Sequence, residues 1–374
     1  MNPLPLNLLP LTAEVLSDGS LAIGGCRLDD IAAEFGTPLF VYDETHLRTR
    51  CREAVDAFGP GRAYYATKAF LCTAMARLAY EEGMGLDVAS GGELHTVLSA
   101  GVPPSAVAFH GNNKSVAELT MALTAEVGHI VVDSFDEIDR LETLHAQGLP
   151  TPRVLARITP GVHAHTHEFI ATGQDDSKFG FNLGNGDATL AVDRLRRSPA
   201  VDLVGLHCHI GSNVFSAASF ARAAEVMAGF SAPLDLPELV LGGGLGVPYV
   251  SGEEAPSITV WANVLLDACR SLGVSSKVGV EPGRSIVADA AVTVYEVGTV
   301  KDIPGVRTYV SVDGGMSDNP RPVLYGSGYE AFLPRAVCAP RPARARLVGK
   351  HCESGDVLVF DAALPEGVVV GDLL

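Results

Sequence analysis

Concentrated positive charge is what this chain lacks most plainly. With 27 Lys and Arg against 44 Asp and Glu, it carries a formal charge of −17. That balance argues against a general affinity for nucleic acid or for an anionic membrane, both of which need clustered basic side chains. The local exception is the run from Arg335 to Lys350, where Arg344 and Arg346 alternate with Ala345 and Leu347 and read as the solvated face of a strand. Seven cysteines, at 26, 51, 72, 208, 269, 338 and 352, form an odd set with no CxxC spacing. They exclude a paired disulfide framework, fit a reducing compartment, and are expected for the most part to be buried. The opening MNPLPLNLLPLTAEV has no basic segment, three prolines interrupt its apolar residues, and no later apolar run reaches membrane-spanning length. A soluble cytoplasmic protein is expected. An HExxH motif, an internal repeat and a Gly-rich dinucleotide fingerprint after the first strand are also missing.

What is present is material for a large core: 374 residues, 47% of them hydrophobic. Residues 12–27 read as a hairpin turning at Ser17-Asp18-Gly19-Ser20, followed by a brief strand over Leu39–Tyr42 and a helix over Thr45–Phe58. Short apolar runs then recur at 63–67, 85–88, 106–110, 129–133, 154–158, 203–209, 238–242 and 278–281, with helical patterns between the first few. Eight βα units predict a (β/α)8 TIM-type barrel over residues 36–286, in preference to an open doubly wound sheet. From about residue 287 the pattern changes to strands with little helix, at 292–300, 307–312, 345–351 and 357–360. A second, mostly β domain is expected over 287–374, joined by strands from residues 1–35.

The polar residues fall at the strand ends: Lys68, Asp87 with Ser90, His110 with Asn112, Asp133, Arg157, His209, the glycines 242–244, and Glu281. In such a barrel these ends share one mouth, so groups distant in sequence would converge. Lys68 has two readings, a structural ion pair with Asp87 or Glu93, or a Schiff-base lysine activated in an enclosed site. Gly242-Gly243-Gly244 after the seventh strand and Gly283-Arg284 after the eighth are placed to hold a phosphate through backbone N–H groups. A carboxylate at Glu281, if aimed at the pyridine nitrogen of pyridoxal 5'-phosphate, would keep that nitrogen protonated; its plainer reading is a pair with Arg284. His209 could stack on the ring and Ser212 reach the phosphate. His207 and Cys208 point to opposite faces of a strand and have no companion motif, so no metal site is expected. Cys352 beside Glu353, in a strand-to-turn segment, is either core packing or a proton donor.

These residues lie in motifs that resemble the diaminopimelate decarboxylase family, within the pyridoxal-phosphate alanine racemase-like (fold type III) group. The motifs are YYATKAF, LDVASGGEL, HGNNKS, AHTHEFIATG with SKFGF, GLHCHIGS, LGGGLG, EPGR, VDGGMSDNPRPVLYG and HCESGD. HCESGD with RPVLYG separates the family from ornithine-type relatives. The resemblance implies that Lys68 bonds the cofactor, that Asp87 and Glu281 lie at it with His209 on its ring, and that Ser212, Gly243, Gly244, Gly283 and Arg284 hold its phosphate. It implies that Arg284, Arg321 and Tyr325, helped by Arg157, bind the distal substrate carboxylate. Cys352 and Glu353 would enter from a partner subunit, which implies a homodimer with shared sites. The implied reaction is decarboxylation of meso-2,6-diaminopimelate to L-lysine. Its rivals are a related decarboxylase acting on ornithine, lysine or a carboxylated polyamine, and a protein that binds the cofactor without turnover. Two departures stand out: Asn213 follows HIGS where Gln is expected, and such relatives continue past Leu374 with strands carrying a cofactor-facing tyrosine, so a truncated β domain is expected.

Overall fold

The computed structural model describes residues 5–162 and 173–374. The AHTHEFIATG motif, apart from Gly173, therefore lies outside the described residues. The chain forms two compact units.

The larger unit, 48–247 with 255–287, is the (β/α)8 barrel. Its strands are β1 (Tyr64–Ala66), β2 (Gly85–Val88), β3 (Val107–Phe109), β4 (His129–Val132), β5 (Arg153–Thr159), β6 (Asp202–His207), β7 (Glu238–Val240) and β8 (Lys277–Gly279). Each pairs in parallel with the next. The ring closes through the parallel bridge of Ala63 with Val280, where the Tyr64 amide donates to the Val280 carbonyl at 2.9 Å. Helices cover the outer face, so β2, β3 and β4 are buried along their whole length and are mostly apolar, with Asp87 in β2 and His129 at the start of β4 as their polar residues. A short segment absent from the expected set, Phe181–Asn182, pairs with the end of β5.

Serines set the helix starts. The side chains of Ser90, Ser115, Ser134, Ser216 and Ser257 each accept the backbone N–H three residues on. Behind the end of β4 lies a buried strut. Lys114 is 2% exposed; its Nζ donates to the carbonyls of Gly111 and Val131 at 2.8 and 2.7 Å and pairs with Glu137 at 2.7 Å. Glu137 in turn accepts the Asp133 amide at 2.9 Å. The HGNNKS segment is thus tied to the loop after β4 by one ammonium.

The smaller unit comprises the chain up to Leu47, Pro248–Glu254 and Ala288–Leu374. Its four-stranded sheet runs Val297–Ile303, Arg307–Val312, Ala343–Val348, Val357–Leu364, around a core of Val297, Val310, Val312, Leu347, Leu358 and Leu364. The N-terminal segment makes its own three-stranded sheet, Glu14–Val15, Leu21–Ile23 and Cys26–Arg27. Arg344 points to the outer face of its strand while Ala345 and Leu347 are buried.

Three sequence expectations need correction. The single strand over 292–300 is two: Ala291–Val294 pairs antiparallel with Leu39–Tyr42, and Val297–Ile303 joins the four-stranded sheet. That pairing takes the chain up to Leu47 into the smaller unit, where the barrel region was expected to begin at residue 36. Of the seven free cysteines only Cys51, Cys208 and Cys269 are buried; Cys26, Cys72, Cys338 and Cys352 are exposed.

Removing one partner of the Lys114–Glu137 pair strands the other charge in a dry environment. Lys114→Met is expected to cost about 3–5 kcal/mol of stability, and the double change with Glu137→Leu to recover most of that loss, measured by urea unfolding.

Candidate active site

The lysine turn comes directly off β1. Thr67–Ala69 form one 3-10 turn, anchored by the Thr67 hydroxyl donating to the Asp87 carbonyl at 2.8 Å and by the Tyr65 hydroxyl donating to the Phe70 carbonyl at 2.7 Å. Both bonds fix the backbone on either side of Lys68. The lysine itself is exposed, not enclosed as expected, because it sits one residue past the last buried position at the rim.

Glu281, just after β8, is the centre of the polar group within the barrel. It is 6% exposed, and both carboxylate oxygens meet imidazoles. Oε2 accepts from His207 Nε2 at 2.9 Å, and Oε1 lies 3.0 Å from His110 Nε2. His110 Nε2 is also 3.5 Å from Asp87 Oδ1. Burial pushes the Glu281 carboxyl up, but the two imidazoles outweigh it and hold the group well below the usual carboxylate range. His110 is likewise desolvated, yet the negative charges of Asp87 and Glu281 raise it above its ordinary value. Burial pushes His207 down to about 4 and Asp87 up to about 6. These directions favour charge on His110, a neutral His207, an ionised Glu281 and an Asp87 that ionises only as the pH passes about 6.

His209, two residues beyond His207 and past the end of β6, is held well below its ordinary range by burial and then by the charge of Lys68. Its Nδ1 accepts the Gly243 amide at 3.3 Å, so the neutral ring carries its proton on Nε2. The sequence reading dismissed His207 by pairing it with Cys208. The informative spacing was His207 to His209, which on the expected strand 203–209 would set both on one face. The ligand atoms of His110, His207 and Glu281 lie within 4.8 Å of one another, a spacing that could admit a cation. In the structure Glu281 is hydrogen-bonded to His207 and ion-paired with His110, while His207 Nδ1 has no hydrogen-bond partner among the described residues.

The glycine turns pack too tightly for any side chain. A Cβ on Gly243 would strike the Glu281 carbonyl, and one on Gly244, where φ is +108°, would strike the Gly211 carbonyl. A Cβ on Gly283 would come 3.0 Å from that of Ala66. Arg284 donates to the Ser212 hydroxyl at 3.1 Å, joining the loops after β6 and β8. Asn213 has φ +58°, a left-handed conformation that Asn adopts readily, which accounts for Asn at this departure from the family pattern. Arg157, on β5, is buried with its guanidinium 4.3 Å over the Phe179 ring and 3.4 Å from Asp133. Asp133 also accepts the Gly180 amide at 2.7 Å, so Arg157 is tied to the SKFGF segment.

Four further residues expected at the site, Arg321, Tyr325, Cys352 and Glu353, lie in the smaller unit. Arg321 opens a short helix, Arg321–Tyr325, and its guanidinium donates to the Tyr329 and Ser327 hydroxyls at 2.9 and 3.1 Å. It also lies 4.9 Å over the Tyr249 ring and 5.8 Å from that of Tyr325. Tyr249 and Tyr329, absent from the sequence-based set, pack edge to face at 5.1 Å and brace this cation. Cys352 and Glu353 stand exposed on a loop organised by the buried Asp356. Asp356 accepts the amides of Met316 and His351 at 2.7 and 2.9 Å, and Gly315 and Gly349 press so closely on its carboxylate that neither has room for a Cβ.

The donor set fits pyridoxal phosphate: a rim lysine, a charged buried carboxylate, a neutral imidazole, and two glycine turns beside a serine and an arginine. Comparison with known proteins agrees. The family described as pyridoxal-dependent decarboxylase, pyridoxal binding domain, matches residues 44–288. Diaminopimelate decarboxylase of Mycobacterium tuberculosis (H37Rv) is 46% identical over 95% of this chain and 84% of its own length. That of Bacillus subtilis (168) is 45% identical, with the same shares covered. The crystal structure of diaminopimelate decarboxylase from M. jannaschii in complex with L-lysine superposes with a TM-score of 0.88, at 31% identity over 97% of this chain and 86% of that one. From its barrel, its buried carboxylate site and these relatives, the chain belongs to the diaminopimelate decarboxylase family of pyridoxal-dependent decarboxylases.

Proposed function

We infer that this protein removes CO2 from meso-2,6-diaminopimelate to yield L-lysine, the last step of lysine biosynthesis, with pyridoxal 5'-phosphate as cofactor. The observation that carries the substrate is Arg321. A near-symmetric diamino diacid loses one carboxylate while the other must be gripped, and a guanidinium already oriented by Tyr329, Ser327 and Tyr249 is prepared for that grip. A diamine-producing decarboxylase has no second carboxylate to hold.

When bound, the cofactor supplies the electron sink that accepts the electron pair of the broken C–C bond. The chain's own residues do the rest. Lys68 would hold the cofactor through its amine. Glu281 would keep a proton at the pyridine nitrogen, His209 would lie against the ring, and Asp87 would contribute beside them. Ser212, Gly243, Gly244, Gly283 and Arg284 take the phosphate, with backbone N–H groups suited to an anion. Arg321, Tyr325 and Arg284, helped by Arg157, bind the distal carboxylate. Lys68 and Cys352 are the two candidates to return a proton to the substrate carbon.

Cys352 and Glu353 are proposed to serve the barrel of a partner subunit, making the protein a homodimer with shared sites; their exposure on a loop supports this. Among the described residues no helix is long and apolar enough to cross a membrane. We place the protein in the cytoplasm, where its free thiols would stay reduced.

Supplied with cofactor, the protein should release CO2 and L-lysine in equal amounts from meso-diaminopimelate, far faster than CO2 from ornithine. No release, or a preference for ornithine, would overturn the assignment. Arg321→Met should raise KM for diaminopimelate by about 10- to 100-fold and leave any turnover of ornithine unchanged.

A further inference from the structure

Glu281 is a carboxylate inside a barrel, where burial alone would favour its neutral form. Two side chains from separate strands meet it. His207 ends β6 and its Nε2 lies 2.9 Å from Oε2; His110 follows β3 and its Nε2 lies 3.0 Å from Oε1. The two rings stand edge to face, 5.0 Å between centroids, and are 1% and 6% exposed. We propose that His207 and His110 are positioning residues for Glu281, a two-sided clamp that keeps this carboxylate charged and aimed. The proposal rests on the reading that Glu281 partners the pyridine nitrogen of the cofactor.

The two histidines divide the task. His207 Nδ1 is buried and makes no hydrogen bond among the described residues, so the ring proton belongs on Nε2, facing the carboxylate. A neutral imidazole donates there without placing a second cation in the barrel. His110 faces two carboxylates, Glu281 at 3.0 Å and Asp87 at 3.5 Å, and carries the compensating positive charge. The other charged and titratable groups that act on this cluster, among the described residues, are Tyr64 on β1, Lys68 from the turn after it, Glu93 from the helix after β2, Arg157 from β5, and Cys208 and His209 beyond β6. Two of these, Lys68 and Arg157, are cations that oppose charging of the histidines, which favours a single imidazolium.

The sign of the pH effect follows. In the native protein Glu281 stays ionised well below its ordinary range. Loss of the His207 donor leaves the cost of burying the charge less opposed, so the carboxyl should take up a proton at higher pH, and the site should fail first on the acid side.

The test uses the full chain and His207→Leu. With isotope confined to the glutamate side-chain carboxyls, so that Asp87, which titrates near 6, is silent, infrared spectra at pH 6 should show a protonated glutamate band in His207→Leu beyond that of the wild type, and lost when Glu281→Gln is added. Titration with pyridoxal phosphate should give a variant-to-wild-type Kd ratio that grows as pH falls from 8 to 6, by about tenfold per unit once the pH lies below the raised carboxyl pKa. His207→Gln, which keeps a donor, should restore most of the affinity. Should His207→Leu not fold, His110→Gln is read the same way. No protonated glutamate band beyond that of the wild type at pH 6, with a Kd ratio independent of pH, overturns the clamp. Wild-type protein that binds the cofactor but releases no CO2 from diaminopimelate overturns the proposed reaction and leaves the clamp standing, since neither readout involves substrate.

Discussion

A carboxylate that must remain charged away from water constrains everything around it. Transfer of such a group into a low-dielectric interior costs several kcal/mol even after relaxation, so Glu281 can exist as an anion only where opposite charge and donors converge. The barrel supplies them. Asp87, His110, His207 and Glu281 come from four different strands or their ends, and closure of the ring between Ala63 and Val280 brings them within hydrogen-bond range. An open sheet would leave the residues of β2 and β8 at separate places along its width. The closed topology is therefore a requirement of the electrostatics as much as a way to bury apolar strands.

The surrounding shell keeps that geometry rigid. Thr67 bonds the carbonyl of Asp87, so the lysine turn and the acidic strand end are fixed to each other. Lys114 and Glu137 lock the loops after β3 and β4, whose leading residues are His110 and Asp133. On the far side, Gly243 packs on the backbone of Glu281 itself, with no room for a side chain. In the smaller unit, Asp356 plays a comparable part for the loop bearing Cys352 and Glu353. The polar groups proposed to act on ligands are thus held by hydrogen bonds and close backbone packing.

Much of this was legible in the sequence, for identifiable reasons. Strands of a parallel barrel are buried on both faces, so β2, β3 and β4 appear as short apolar runs ending in a polar residue, and the helix starts carry serine caps. What escaped depends on tertiary pairing. Val294 and Val297 read as one strand because local pattern cannot reveal that the segment before Tyr295 pairs with Leu39–Tyr42 and the segment after it with Arg307–Val312. His207 was missed because its partners, His110 and Glu281, are supplied by the fold. Tyr249 and Tyr329 were missed because nothing local marks a ring that braces an arginine from another segment.

The central claim is that these groups surround one covalently bound aldehyde cofactor. It is tested most directly by loading the protein with pyridoxal phosphate, reducing with borohydride, and locating the phosphopyridoxyl group by peptide mass mapping. The account predicts a single modified residue, Lys68, at the end of β1. Stoichiometric modification of any other lysine, with Lys68 unmodified, would contradict it.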